Sequence, residues 1–165
     1  MVWLDSVQGA RTPLFEGEAT TVKFGVNTMV WTTRMGKSQE ALLARIREWG
    51  FDGVEPFLSP DEPADIALLR TVLDRHGLER TTCSVLPRHD NLISPEPATR
   101  ARSVEFLKKC VDRTAELGAR LICGPIYAGL GVMTGGRRTH DEWGWAVEGL
   151  HAVAEHAQRY HVTLC

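Results

Sequence analysis

Several residues in this 165-residue chain are of a type and spacing that could do chemistry. The six histidines, His76, His89, His140, His151, His156 and His161, would suggest zinc if two stood four apart on one helix face with a third ligand. None do: His151 and His156 are five apart and diverge, so no histidine metal site is expected. The run Gly129 to Arg138, GLGVMTGGRR, could cradle a phosphate in backbone N–H groups. It lacks the Lys-Ser/Thr ending and the dinucleotide spacing, and lies a full loop from its helix, so a lid is the better reading. Arg137 and Arg138 then form a solvated loop tip, with contact to a phosphorylated sugar as the lesser alternative. Cys123 could be a nucleophile, yet no histidine is placed to activate it. The four cysteines, Cys83, Cys110, Cys123 and Cys165, form no CxxC and are expected to be reduced, mostly buried thiols. More promising are polar and aromatic side chains at the ends of short apolar runs. Glu55 and Asn27 could bond hydroxyl groups, Trp31 and Tyr127 could offer flat apolar surface, and Ser84 and Leu130 stand at the end of the third strand and after the fourth. The plain alternatives are aromatics that fill a core and a Glu55 that belongs to a structural ion pair.

The elements that must hold these residues repeat along the chain. From Val22 onward the sequence cycles through an apolar strand, a polar loop, an amphipathic helix and a glycine. The strands are expected over 23–31, 52–57, 80–86 and 119–124, with a fifth in 161–165. Ser38, Pro63, Ser94-Pro95 and the Thr139/Glu142 capping box mark the helix starts. The helical stripes are Leu42, Leu43, Ile46 and Trp49, then Ile66, Leu69, Val72 and Leu73. Val104, Leu107 and Val111 follow, then Ala146, Leu150, Val153, Ala154 and Ala157. Successive βα units require parallel strands. No glycine turn follows the first strand, which argues against a doubly wound nucleotide fold. A closed (β/α)₈ barrel needs about 250 residues, so an α/β TIM barrel represented by its first four βα units and fifth strand is expected over 22–165. Residues 1–21 show no clear period and are read as a loosely ordered N-terminal extension.

Composition narrows the function. Nineteen Lys plus Arg against 21 Asp plus Glu give a net charge of −2, no footprint for nucleic acid or an anionic membrane. No run approaches the roughly 18 apolar residues of a spanning helix, and a cytoplasmic protein is expected.

KFGVNTMVW, GFDGVEPF, the stretch from Ser84 to Gly131, and WAVEGLHAVAEHAQRYHVTLC together resemble the xylose-isomerase-like sugar isomerase/epimerase family. The likeness is strongest to ketose 3-epimerases of the tagatose and psicose type. GFDGVE, NLISPEPATR and CGPIYAGLG are its most specific pieces. The resemblance implies proton exchange next to the carbonyl of a ketose through an enediolate. Two glutamates and a divalent cation, Mn²⁺ foremost with Mg²⁺ or Co²⁺ as substitutes, carry it in the full-length family, which is expected to be homo-oligomeric. It also implies that the first metal ligand follows VTLC two positions past Cys165. No catalytic residue and no metal ligand is therefore assigned to this chain, and no cation is expected to bind it. Asn27, Trp31, Glu55, Ser84, Tyr127 and Leu130 remain as the substrate-binding candidates. Relatives often carry Trp at the Leu130 position and Tyr near Asn27, which weighs against psicose-type specificity. Alternatives of the same fold are a hydroxypyruvate or inositol-pathway isomerase and a non-catalytic half-barrel. Abasic-site endonucleases share the barrel, but their early histidine positions hold Glu55 and Ser84 here.

Overall fold

The computed structural model describes residues 22–62, 65–133 and 135–165; the extension expected over 1–21 and the helix signal at Pro63 lie outside them. The described strands are β1 Gly25–Asn27, β2 Gly53–Glu55, β3 Glu79–Arg80, β4 Thr82–Cys83, β5 Leu121–Cys123 and β6 Thr163–Leu164. The α-helices are α1 Glu40–Glu48, α2 Ile66–Arg75, α3 Pro97–Leu117 and α4 His140–Gln158. Every strand pair is parallel, in the orders β1-β2-β3 and β4-β5-β6.

β3 and β4 are two halves of the single strand expected over 80–86, divided at Thr81. The first half pairs with β2 and the second with β5. Thr81 N–H still donates to the Val54 carbonyl at 3.2 Å, and Cys83 N–H donates to Pro56 at 3.0 Å. The stagger passes one continuous chain from its earlier neighbour to its later one, as the shear of a barrel requires. Strand order follows chain order throughout, so there is no reversal at which a doubly wound sheet would bind a nucleotide. The result is an open arc of parallel strands belonging to a TIM-barrel fold, with the helices covering its outer side.

Two apolar clusters fill the space between arc and helices. Leu43 and Ile46 of α1, with Leu69, Val72 and Leu73 of α2, close over Val54. Leu107, Cys110 and Val111 of α3, with Val153 and Ala157 of α4, close over Ile122. Burying each such Leu, Ile or Val contributes about 1.5–3 kcal/mol. Leu117, near the end of α3, lies in the first cluster and ties the two together.

Helix starts depart from expectation where local hydrogen bonding wins. Ser38 is not an N-cap; it lies within a 3-10 turn, Lys37–Gln39, and Gln39 Oε1 accepts from Gly36 N–H at 3.0 Å. α3 begins at Pro97 rather than after Ser94, because Glu96 precedes a proline and is held extended at φ −82°, ψ 115°. The Thr139/Glu142 capping box is present in both directions, at 3.1 and 2.8 Å. Trp49 and Ala154 are exposed rather than inward-facing. The first strand is also shorter than 23–31: Asn27 Oδ1 accepts from Met29 N–H at 2.8 Å and turns the chain into a 3-10 helix, Thr28–Val30.

Candidate functional site

Strand alternation decides which side chains reach the concave face of the arc. Val54 is buried under the helices, so Glu55 turns the other way. The in-register pairing of β1 with β2 sets Asn27 directly opposite Glu55. Asn27 Nδ2 donates to Glu55 Oε1 at 2.7 Å. Thr81 Oγ1 donates to Glu55 Oε2 at 3.1 Å, and Cys123 Sγ reaches the same oxygen at 3.0 Å. Cys83 and Cys123 are also in-register partners, on β4 and β5. A polar strip thus crosses the arc from β1 to β5, with Glu55 as its hub.

The carboxylate is half-buried, and removing it from water would be costly without partners. Three donors offset that cost, so Glu55 is a hydrogen-bonded hub rather than the member of an ion pair. The thiols take their roles from the same surroundings. Burial first, then the bond and charge of Glu55, push Cys123 up to about 12. Burial and then Glu55 also raise Cys83. Both thiols are therefore protonated at neutral pH, which makes Cys123 a donor and a poor nucleophile.

From Glu55 a concavity of about 210 Å³ runs along β1 to β3 toward their N-terminal ends, lined by Lys23, Asn27, Asp52, Glu55, Glu79 and Thr81 among others. Further along, Gly124 allows the sheet to close tightly: a Cβ there would lie 2.0 Å from the Ser84 carbonyl oxygen, and its φ is +135°. Only glycine fits that approach.

The other candidates are placed differently. Ser84 does not reach the concave face; it is fully buried toward the helices, with its Oγ 3.2 Å from Cys110 Sγ on α3. Counting by twos from Glu55's partner Thr81 assigns the inward positions to Thr81 and Cys83, so alternation could have exchanged Ser84 for these two. Trp31 is 44% exposed and its ring lies 5.8 Å from that of Trp49 at the end of α1. Tyr127 is exposed and carries the Arg138 guanidinium 5.8 Å from its ring centroid. Arg138 also approaches Glu142 at 3.7 Å, so it is an engaged side chain and not a bare loop tip. Leu130 is exposed, and its N–H donates to the Leu86 carbonyl at 2.9 Å. This bond and the close seat of Gly129 on the Asp90 carbonyl fix the long loop after β5 to the loop after β4. Asp90 is itself buried, held by Arg102 Nε at 2.7 Å.

Among the described residues, the one group of metal-ligating side chains is Glu55, Cys83 and Cys123, whose donor atoms lie within 4.8 Å of one another. Mn²⁺ and Mg²⁺ favour oxygen donors, whereas two sulfurs and one oxygen form a soft set. These residues do not fit the hard cation that the family resemblance implies.

Comparison with known proteins agrees with the fold. A family profile described as xylose isomerase-like TIM barrel matches residues 43–165. The chain is 34% identical over 146 residues to an L-ribulose 3-epimerase of Mesorhizobium japonicum, covering 86% of this chain and 48% of that protein. It is 32% identical over 111 residues to a ketose 3-epimerase of Arthrobacter globiformis, covering 66% of this chain and 38% of the relative. A solved L-ribulose 3-epimerase superposes with a TM-score of 0.79 at 30% identity, over 87% of this chain and 48% of the other. A Methylomonas D-allulose 3-epimerase in complex with D-allulose gives the same TM-score at 24% identity, a likeness of fold. The chain spans about half the length of the relatives it matches or less.

Proposed function

The chain belongs to the xylose isomerase-like TIM barrel family, and from that membership we propose that it supplies a sugar-binding wall of a ketose 3-epimerase. The observation that carries this reading is the strip Asn27–Glu55–Thr81 across the concave face, in which Asn27 and Glu55 close β1 and β2 at their C-terminal ends. Barrels of this type build their active sites at that end.

A ketose presents neighbouring hydroxyls and an apolar C–H face. Glu55 can accept from a hydroxyl, and the Asn27 amide, already aligned by Glu55, adds a polar group beside it. The Tyr127 ring offers a flat surface for the C–H face, with Leu130 and Trp31 nearer the rim. In this reading the reaction is proton exchange at the carbon next to the ketose carbonyl by way of an enediolate. The glutamates and divalent cation implied by the family resemblance are assigned to no residue of this chain. The chain's own part is to bind and orient the sugar in a cytoplasmic, homo-oligomeric enzyme, and by itself it is expected not to turn over.

The test is a titration of the isotope-labelled chain with L-ribulose, D-tagatose, D-fructose and hydroxypyruvate, followed by amide NMR. Ketoses should shift Asn27, Glu55 and Thr81, and hydroxypyruvate should not. A parallel incubation with ketose and MnCl₂, read by sugar chromatography, should show no epimer. Shifts confined to other surfaces, or stronger shifts with hydroxypyruvate, would overturn the assignment. Epimer formed by the chain alone would overturn the division of labour.

A further inference from the structure

We propose that Cys83, Cys123 and Glu55 form a binding site for a thiophilic divalent cation, Zn²⁺ foremost, on the concave face of the arc. The three side chains come from three strand segments and converge with their donor atoms within 4.8 Å of one another. A tetrahedral Zn²⁺ with bonds of about 2.0–2.3 Å needs its ligand atoms roughly 3.5–4 Å apart. Cys123 Sγ and Glu55 Oε2, at 3.0 Å, must separate slightly to admit the ion. In-register parallel pairing fixes the backbone of Cys83 and Cys123 side by side. Two thiolates, one carboxylate and an open fourth position for water make the donor count of a zinc site with a free position.

The surroundings suit this reading. Asn27 and Thr81 both donate to Glu55, orienting the carboxylate from outside the ligand set as second-layer partners of metal sites do. Glu55 borders the open concavity, which gives a cation a path of entry. Without a cation both thiols keep their protons, because burial and Glu55 disfavour the thiolate. A bound cation reverses that preference: each thiol gives its proton to solvent as its sulfur–metal bond forms, so uptake strengthens as pH rises. The site shares Glu55 with the proposed sugar wall, but its test contains no sugar, so the two readings fail separately.

The decisive experiment is equilibrium dialysis of the full chain against Zn²⁺ in a non-thiol reductant. One Zn²⁺ per chain is expected, with affinity lowered at least about tenfold in each of Cys83→Ser, Cys123→Ser and Glu55→Gln. Cys165→Ser, at an exposed thiol, should bind as the wild type does. Two measurements on the unaltered chain guard against variants that fail to fold. Zn²⁺ should slow alkylation of Cys123 but not of Cys165, and Cd²⁺ should produce a thiolate-to-metal charge-transfer band. No uptake, uptake lost only in Cys165→Ser, or sensitivity to just one of the three ligand changes would overturn the proposal.

Discussion

Asn27 and Glu55 face each other across β1 and β2, amide nitrogen to carboxylate oxygen at 2.7 Å, while the oxygen of the same amide accepts from Met29 N–H at 2.8 Å. One side chain thus both ends the first strand and positions the hub of the concave face. The two tasks need opposite ends of an amide, which no carboxylate or aliphatic side chain supplies.

Asn27→Ala should therefore remove the donor to Glu55 and the cap on Met29 together, destabilising the chain by about 1–3 kcal/mol. Asn27→Asp keeps the acceptor for Met29 but sets a second carboxylate against Glu55. Its deficit should shrink more steeply than that of Asn27→Ala as pH falls, because only the aspartate variant also loses a like-charge repulsion. Urea unfolding of both variants at neutral and mildly acidic pH checks this. Parallel pH responses would refute the amide-specific role.

Glycines separate close packing from mere flexibility. Gly124→Ala forces a Cβ to 2.0 Å from the Ser84 carbonyl at a φ of +135°, and should cost more than about 3 kcal/mol or abolish cooperative unfolding. Gly144 lies within α4 with open space where a Cβ would go, so Gly144→Ala should stabilise by about 0.5–1 kcal/mol. Thermal unfolding of the two variants should move in opposite directions.

How far the sequence foretold this arrangement depends on the length scale of the cause. The stripe Ile66, Leu69, Val72 and Leu73 is buried as its periodicity expects, and Thr139 with Glu142 forms the expected cap, because both depend on neighbours within one helix. Glu55 was recognisable as a carboxylate in need of partners. Its partners come from three other strand segments, and only register brings them in. Ser84 differs for a simpler reason. Its place near the end of the third strand points to the pocket, while alternation along that strand turns it toward Cys110. Trp49 and Ala154 fit their helical stripes but lie where no strand or neighbouring helix covers them in the described arc.

The half-exposed Arg102 that caps buried Asp90 beneath the long loop gives a further test. Asp90 is buried and its carboxylate is held by Arg102 at 2.7 Å. Arg102→Ala removes the nearer of two basic neighbours of that carboxylate, His89 Nε2 lying 4.0 Å away, and because Arg102 is half exposed the cost should be about 1–2 kcal/mol. Adding Asp90→Asn to Arg102→Ala should recover part of the loss, since the stranded charge is gone. A double variant as unstable as the sum of the two single changes would show that the residues do not act as a pair.

Alkaline pH should weaken the fold through two shielded thiols, Cys123 on the concave face and Cys110 on the helix side of the sheet. Cys123 and Cys110 are each raised from 9.0 to about 12, chiefly by burial. Between these values the unfolded chain loses thiol protons that the folded chain retains. The folded state then binds more protons, so unfolding free energy must fall as pH rises. The stabilisation is whole below pH 9 and is lost progressively toward pH 12. Lysines and tyrosines titrate in the same range, so the informative quantity is a difference. Cys123→Ser removes one raised thiol while keeping a small donor for Glu55, and its unfolding midpoint should decline less steeply above pH 9 than that of the wild type. Identical slopes in urea titrations across this range would mean that the Cys123 thiol is not held protonated by Glu55 and burial, and the role assigned to it in the polar strip would fail with it.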